Sequence, residues 1–377
     1  MPYSPKPGTP ISALDTPSIL VDLPTFHSNI QKLTQRLLPT GVRIRPHLKT
    51  SKSAAVARHL STAGCQGFCV AKLSEAEIMV GLGITDLLIT CEVIGDVKVG
   101  RLVELWGKEE GSDVRVIVDC IEGVKKIEMA MREAGLTGKR SVLVDLDVGL
   151  QRTGVRGVEA ARELARYIRD ECEMLELIGI QGYEGHVQHI HGDEARKTAC
   201  LNSMKILVET AEALGRDGHD IRVVTCGGTG TAEVCASIPG ITEVQPGSFV
   251  FMDTDYQSAI GGFYDNSLTI LCTVISKQGP KRVTIDAGLK ALTTDSGLAQ
   301  CKDSRYTYGV LGDEHGFLTW TDARDLEVGD RVEMVPSHID PTVNLFDVYF
   351  AHREGVVEEV RRVGARGMVQ CVLGCGS

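Results

Sequence analysis

The stretch Arg45-Pro46-His47-Leu48-Lys49-Thr50, RPHLKT, sets a lysine directly after a short strand-like run and just before a helix-like one. From Val42 onward the chain repeats that grammar: a β-branched run, a polar or glycine-rich turn, then an amphipathic segment. The runs VRIRPH, GFCVAK, DLLITCEV, VRVIVD, SVLVDLD, IGIQGYEG, IRVVTCGG and EVQPGSFV read as strands. Between them, SKSAAVARHLSTAG, LSEAEIMVGLG, CIEGVKKIEMAMREAG and VRGVEAARELARYIRDE carry apolar residues at helical spacing. Repeated about eight times, this alternation predicts an α/β fold, a (β/α)8 barrel of TIM type. No GxGxxG turn follows the first strand, which speaks against a doubly wound open sheet. Chemistry in such barrels gathers at the C-terminal ends of the strands, and Lys49 stands at the first of them.

After Asp253 the pattern changes. SLTILCTVISKQ, KRVTIDAG, RVEMVPSHI and VEEVRRVGARGMVQCVLG read as strands separated by turns, with no convincing helices between them. The expected division is a barrel over residues 24–253 and a β-domain formed by residues 1–23 and 254–377, in which the early run SILVDL supplies an N-terminal strand.

Composition narrows the function. The 377 residues are 43% hydrophobic and carry 40 Lys and Arg against 50 Asp and Glu, a net charge of −10. No basic run is interleaved with aromatics, so nucleic acid is not an expected partner. The N-terminal segment has four prolines before Pro17 and no apolar signal-like core. No stretch approaches the roughly 20 apolar residues of a membrane span. Twelve cysteines scattered through a long chain fit reduced thiols in a cytosol-like compartment better than a secreted disulfide framework. Cys65 with Cys69 and Cys371 with Cys375 have three intervening residues, unlike the two usual in redox and zinc motifs, and read as ordinary thiols.

Other strand ends give Lys49 company. Arg152 follows the fifth strand, and Tyr183, His186, His189 and His191 follow the sixth. CGGTGT follows the seventh and opens into AEVCAS, so the amides of Gly228, Thr229 and Gly230 can cradle a phosphate. A lysine over a barrel mouth is desolvated, which lowers its pKa and makes its amine a nucleophile toward carbonyls. Lysine at strand one with a phosphate cup at strands seven and eight suits pyridoxal phosphate.

In order, TPSILVDL, RPHLKTSK, DVGLQRTGV, GYEGHVQH, CGGTGT, VQPGSFVFMD, DAGLKALTTD and SHIDPTVNLFD resemble the D-threonine aldolase and D-serine dehydratase-like family. These are fold-type III pyridoxal phosphate enzymes with an alanine racemase-like barrel and a β-domain. The resemblance implies that Lys49 forms the Schiff base with the cofactor, that Arg152 lies near its phenolic oxygen and that Tyr183 packs at it. It implies that Gly228, Thr229 and Gly230, with Gly247 and Ser248, bind its phosphate. Phe249 departs from the pattern, where a tyrosine is common. His189 matches the catalytic histidine, with His186 as fallback and His191 structural. The family also implies D-stereochemistry and a homodimer.

His338 and Asp340, in SHID, are one residue apart and on a strand would share a face, able to hold one cation. The resemblance gives His-X-Cys, suited to zinc, to the dehydratases and His-X-Asp to the aldolases, and a nitrogen and oxygen pair suits manganese or magnesium. The implied activity is metal-assisted retro-aldol cleavage of a D-β-hydroxy-α-amino acid to glycine and an aldehyde. Cleavage of 3-hydroxy-D-aspartate, β-elimination from D-serine, racemization and a cofactor-carrier role stand as alternatives. A substrate with a second carboxylate calls for an extra cation, for which Arg45 is a weak candidate beside its bland reading as a barrel salt bridge.

Overall fold

The computed structural model describes residues 3–108 and 113–370, so Cys371 and Cys375 lie outside the described residues. The chain divides into two compact units. One takes Thr34–Lys49, Val56–Gly247 and the chain from Met368; the other takes the chain up to Leu33, Thr50–Ala55 and Ser248–Gly367.

Strand β1 (Ser18–Asp22) belongs to the second unit. The first unit is built on β2 (Arg43–Ile44), β3 (Phe68–Val70), β4 (Asp86–Ile89), β5 (Asp113–Val118), β6 (Arg140–Asp145), β7 (Leu175–Gln181), β8 (Val223–Cys226) and β9 (Glu243–Val244). All pair in parallel, in the order β2-β9-β8-β7-β6-β5-β4-β3. The helices expected between them form, among them Ala54–Thr62, Leu73–Gly81, Asp96–Lys108, Ile121–Glu133, Gly157–Glu171 and Asp193–Arg216.

The RPHLK stretch closes the ring. On one side the amides of Arg43, Arg45 and His47 donate to Thr242, Val244 and Pro246 at 2.9, 2.9 and 3.0 Å. On the other, Ile44 and Pro46 carbonyls accept from Gln66 and Cys69 at 2.8 and 2.9 Å, and Leu48 donates to Cys69 at 2.8 Å. Pro46 has no N–H and contributes only its carbonyl.

The Arg45 side chain is fully buried, 2.8 Å from Glu243 and 2.6 Å from Asp86, the first residues of β9 and β4. It is therefore the barrel salt bridge and not a substrate contact. Burial opposes its charge, yet the two carboxylates outweigh burial and raise its pKa. Gly67 makes room: a Cβ there would fall 2.3 Å from an Arg45 nitrogen, and its φ of +72° favours glycine. An apolar layer of Cys69, Leu88, Ile117, Leu143 and Ile178 links β3 through β7.

The second unit carries one nine-stranded sheet. Its strands after β1 are β10 (Leu268–Gly279), β11 (Arg282–Ile285), β12 (Gln300–Cys301), β13 (Thr307–Val310), β14 (Gly316–Thr319), β15 (Arg331–Val335), β16 (Val348–Arg353) and β17 (Val356–Arg362). The main path is β13-β14-β11-β10-β1-β16-β17, with β15 pairing β10 and β12. The N-terminal strand is thus central: Ile19 opposes Ile270 antiparallel and Tyr349 parallel.

Two expectations fail here. Helices Thr254–Ile260 and Ile339–Val343 interrupt the β-domain, and the run RVEMVPSHI is a strand only to Val335. Asp253 explains both helices, since its carboxylate accepts from Tyr256 N at 2.8 Å and Ile339 N at 2.9 Å and so starts a turn at each. Among the described residues no helix is long and apolar enough to cross a membrane, and the cysteines are free.

Replacing Arg45 by alanine leaves the buried Glu243 carboxylate only the more distant Arg43, at 3.9 Å, and should cost about 3–5 kcal/mol in urea unfolding. A loss near zero would show that the ring closes without this ion pair.

Candidate active site

Lys49 lies in the turn after the closing segment, half-buried, at the C-terminal end of the first barrel strand. Its amide donates to His47 Nδ1 at 3.2 Å, and His47 Nε2 is 3.0 Å from Thr90 Oγ1 beyond β4. The imidazole therefore fixes the backbone that presents the lysine. The hydroxyls that follow in the chain, on Thr50, Ser51 and Ser53, are buried with no hydrogen-bond partner among the described residues, a polar surplus of the kind a bound group relieves.

Arg152 is exposed in the loop after β6, its guanidinium 5.6 Å from the ring centroid of half-buried Tyr183, just beyond β7. Contact of this kind orients the cation over the ring face. Asp147 shapes the loop by accepting from the amides of Gly149 and Gln151 at 3.0 and 2.9 Å.

Beyond β8, Gly227 adopts φ +78° and the chain passes through Gly228–Thr231 into the five-residue helix Ala232–Ala236. So short a helix has little dipole, and any anion here would depend on individual amides. A Cβ on Gly228 would meet Gln188 Oε1 at 2.5 Å and one on Gly230 the Gln188 carbonyl at 2.6 Å, so these glycines admit Gln188. The Gly230 amide donates to Gln188 Oε1 at 2.9 Å and the Gly228 amide to Thr231 Oγ1 at 3.1 Å. Fully buried Glu184 completes the frame, accepting from Gly227 N at 3.1 Å, Gln188 Nε2 at 2.9 Å and Thr231 Oγ1. The loop's shape is thus set from within. Glu184 and Gln188 carried no role in the sequence reading; their four-residue spacing inside YEGHVQH was the available signal.

Gly247 ends the barrel unit and buried Ser248 begins the turn Ser248–Val250 of the other. Phe249 is buried against Tyr264, with ring centroids 5.9 Å apart. His189 is half-buried after the turn Gly185–Val187. His186 is exposed, its Nε2 3.4 Å from Ser203 Oγ, and His191 is exposed.

In the second unit, His338 is extended and Asp340 lies in the first turn of Ile339–Val343, so the two do not share a strand face as expected. Both act electrostatically on buried Asp253, whose carboxylate accepts at 2.9 Å from the amide of Ile339, the residue between them in sequence. Burial pushes Asp253 up to about 6, against the two amides it accepts and the His338 charge. Asp295 holds the His338 ring through Nδ1, so Nε2 is the nitrogen left to ligate. Burial pushes Asp295 up, but the hydrogen bond and charge of His338 hold it below the ordinary aspartate value. An imidazole nitrogen, a carboxylate and a second carboxylate orienting the imidazole form a donor set that fits a divalent cation. Asp295 closes DAGLKALTTD and had been given no role, because nothing local to it names His338 as its partner.

The barrel rim therefore collects a lysine, an arginine on an aromatic ring and a glycine turn at the ends of strands of one barrel, a fit to pyridoxal phosphate. Residues 21–255 match the alanine racemase N-terminal domain family and residues 267–352 a putative serine dehydratase domain family. The chain is 36% identical to a D-threonine aldolase of an Arthrobacter species, covering 97% of each. It is 35% identical to a 3-hydroxy-D-aspartate aldolase of Paracoccus denitrificans, covering 96% of this chain and 94% of that one. A solved D-threonine aldolase from Filomicrobium marinum superposes with a TM-score of 0.92 at 33% identity, over 97% of this chain and 100% of that one. The D-threo-3-hydroxyaspartate dehydratase from Delftia sp. HT23 superposes with a TM-score of 0.84 at 29% identity, over 94% of this chain and 98% of that one. Solved forms of that dehydratase include alanine variants of a histidine and of a cysteine two positions further on, the cysteine variant in a metal-free form. From the first strand to the last the match is continuous: this chain belongs to the D-threonine aldolase and D-serine dehydratase-like family of fold-type III pyridoxal phosphate enzymes.

Proposed function

We propose that the chain is a lyase, a pyridoxal phosphate- and divalent metal-dependent aldolase that cleaves D-threonine to glycine and acetaldehyde. The observation that carries this reading is the donor set at His338 and Asp340, with Asp295 on the imidazole. Nitrogen and oxygen ligation favours manganese or magnesium, whereas a thiolate at the second position would favour zinc. The dehydratase with solved variants at a histidine and at a cysteine two positions further on carries sulfur at that spacing, which the family resemblance sets against His338 and Asp340.

Bound cofactor and metal supply an electron sink for the bond broken at Cα and a Lewis acid for the β-hydroxyl. Lys49 would hold the cofactor covalently, with its backbone pinned by His47. Arg152 and Tyr183 would orient the ring, and Gly228, Thr229, Gly230, Gly247 and Ser248 would border the phosphate. His338 and Asp340 would hold the metal, and His189 would take the β-hydroxyl proton directly or through water. The 3-hydroxy-D-aspartate aldolase reading is kept by the near-equal identity to that relative; it loses Arg45 as its extra cation, because that guanidinium is buried against Glu243 and Asp86 at the starts of the strands.

Purified protein with pyridoxal phosphate and manganese, offered D-threonine, L-threonine, 3-hydroxy-D-aspartate and D-serine in parallel, should release acetaldehyde and glycine from D-threonine alone. Preferential glycine and glyoxylate from hydroxyaspartate would move the substrate, and pyruvate from D-serine would make the chain a dehydratase. Lys49→Ala should lose the yellow absorbance that borohydride discharges; reducible absorbance surviving in that variant would sink the assignment. Asp295→Asn should weaken Mn2+ binding, read by electron paramagnetic resonance, about 10–100-fold, and Asp340→Ala should abolish it while the cofactor absorbance stays. Unchanged Mn2+ affinity in both would remove the metal from this site.

A further inference from the structure

Three carboxylates stand at the C-terminal ends of neighbouring barrel strands: Glu92 beyond β4, Asp119 directly after β5 and Asp145 at the end of β6. Among the described residues none of them has an ion-pair partner. Glu92 Oε1 is buried with no hydrogen-bond partner. Asp145 is 5% exposed, and its oxygens accept from Thr153 Oγ1 at 2.8 Å and Gln181 Nε2 at 3.1 Å. Asp119 accepts from the Gly154 amide at 3.3 Å.

Thr153 and Gly154 are the two residues after Arg152, and the bridge between Leu146 and Val155 closes their loop. Two of the three carboxylates thus grip the stem from which Arg152 projects. Three adjacent carboxylates repel one another in a low-dielectric interior, unless one carboxyl keeps its proton and donates it to a neighbour.

We propose that Glu92 is a positioning residue for Arg152: its carboxyl group shares a proton with Asp145, and the shared proton holds the loop Asp147–Gly154 in place. Other groups facing Glu92 are Lys72 and Ser74 at the start of helix Leu73–Gly81, Lys98 and Arg101 of helix Asp96–Lys108, and neighbouring Cys91. From the β5 side come Asp119 and Cys120. Arg101 pairs with Glu77, at 2.9 Å through Nε, and Lys72 lies 3.7 Å from Cys91 Sγ. Facing Asp145 are Asp119, Thr153 and Gln181.

Burial first, and then the charges of Asp145 and Asp119, push Glu92 up to about 7, and burial also raises Asp145. A free glutamate titrates near pH ~4.3, so the folded value is the higher one. The contribution is therefore complete at acid pH and is lost as pH rises through about 7.

Hydrogen–deuterium exchange of the segment 146–155 in the apoprotein, corrected for intrinsic exchange rates, tests this at about pH 6 and about pH 8.5. Wild-type protection should fall at the higher pH on the order of tenfold. Glu92→Gln keeps a donor toward Asp145 without its titration and should stay protected at both. Asp119→Asn removes a charge that raises Glu92 and should move the wild-type transition to lower pH. Wild-type protection that ignores pH, or a Glu92→Gln variant that loosens as the wild type does, overturns the proposal; if that variant does not fold, an unmoved transition in Asp119→Asn overturns it equally. The role of Arg152 at the cofactor is a separate reading: a loop that responds as expected in a protein that never binds pyridoxal phosphate supports the carboxylate device and discards that role.

Discussion

The barrel depends on one buried guanidinium. Its first and last strands, β2 and β9, are two residues each, so the seam where the ring closes has the fewest ladder hydrogen bonds to hold it. Arg45 compensates by reaching Glu243 at the start of β9 and Asp86 at the start of β4. Burying such a charge costs several kcal/mol unless its partners are well placed. What the arrangement secures is register. A slip of one residue would turn Arg45 to the opposite face and leave Glu243 alone in the interior.

Register matters because the same stretch carries Lys49. The backbone that alternates hydrogen bonds between β9 and β3 through residues 43–48 brings His47 to the rim, where its imidazole accepts from the lysine's amide and meets Thr90. A cation thus fastens the starts of the strands, while the ends carry Lys49, Arg152 and three carboxylates. A sequence in which Arg45 and Lys49 exchanged roles would fail at both ends. Only arginine offers the fork that two carboxylates can grip, and only lysine offers a free amine for Schiff-base chemistry.

The barrel was legible in the chain because each βα unit announces itself locally, by a β-branched run and an amphipathic helix. Lys49, Arg152 and the glycine turn were legible because strand ends are where a barrel's polar residues cluster. Three things were not. The helix at Ile339 follows from Asp253, 86 residues away in sequence, and SHID by itself reads as the end of a strand. Asp295 and His338 lie 43 residues apart, a pairing that only the folded β-unit creates. Glu92, Asp119 and Asp145 read singly as strand-end acids, and their meaning comes from adjacency of β4, β5 and β6.

The proposed metal site has a rival among the described residues. Glu184, Cys200 and Cys235 have ligand atoms mutually within 4.8 Å, and all three residues are buried. Yet Glu184 already accepts from Gly227, Gln188 and Thr231, and a cation there would have to compete with the frame of the glycine loop. The Cys200 thiol is pushed up, first by its contact with Cys235 at 3.6 Å and then by burial, so deprotonation for ligation is opposed by the interior itself. At His338 the situation is reversed: Asp295 holds one imidazole nitrogen and leaves the other, with Asp340 in the first turn of the helix. The chain thus keeps its soft ligands protonated in the core as packing, and offers nitrogen and oxygen where a cation can arrive hydrated. That distribution supports the proposed reading, a hard divalent ion in place of zinc and a hydroxyl activated instead of expelled.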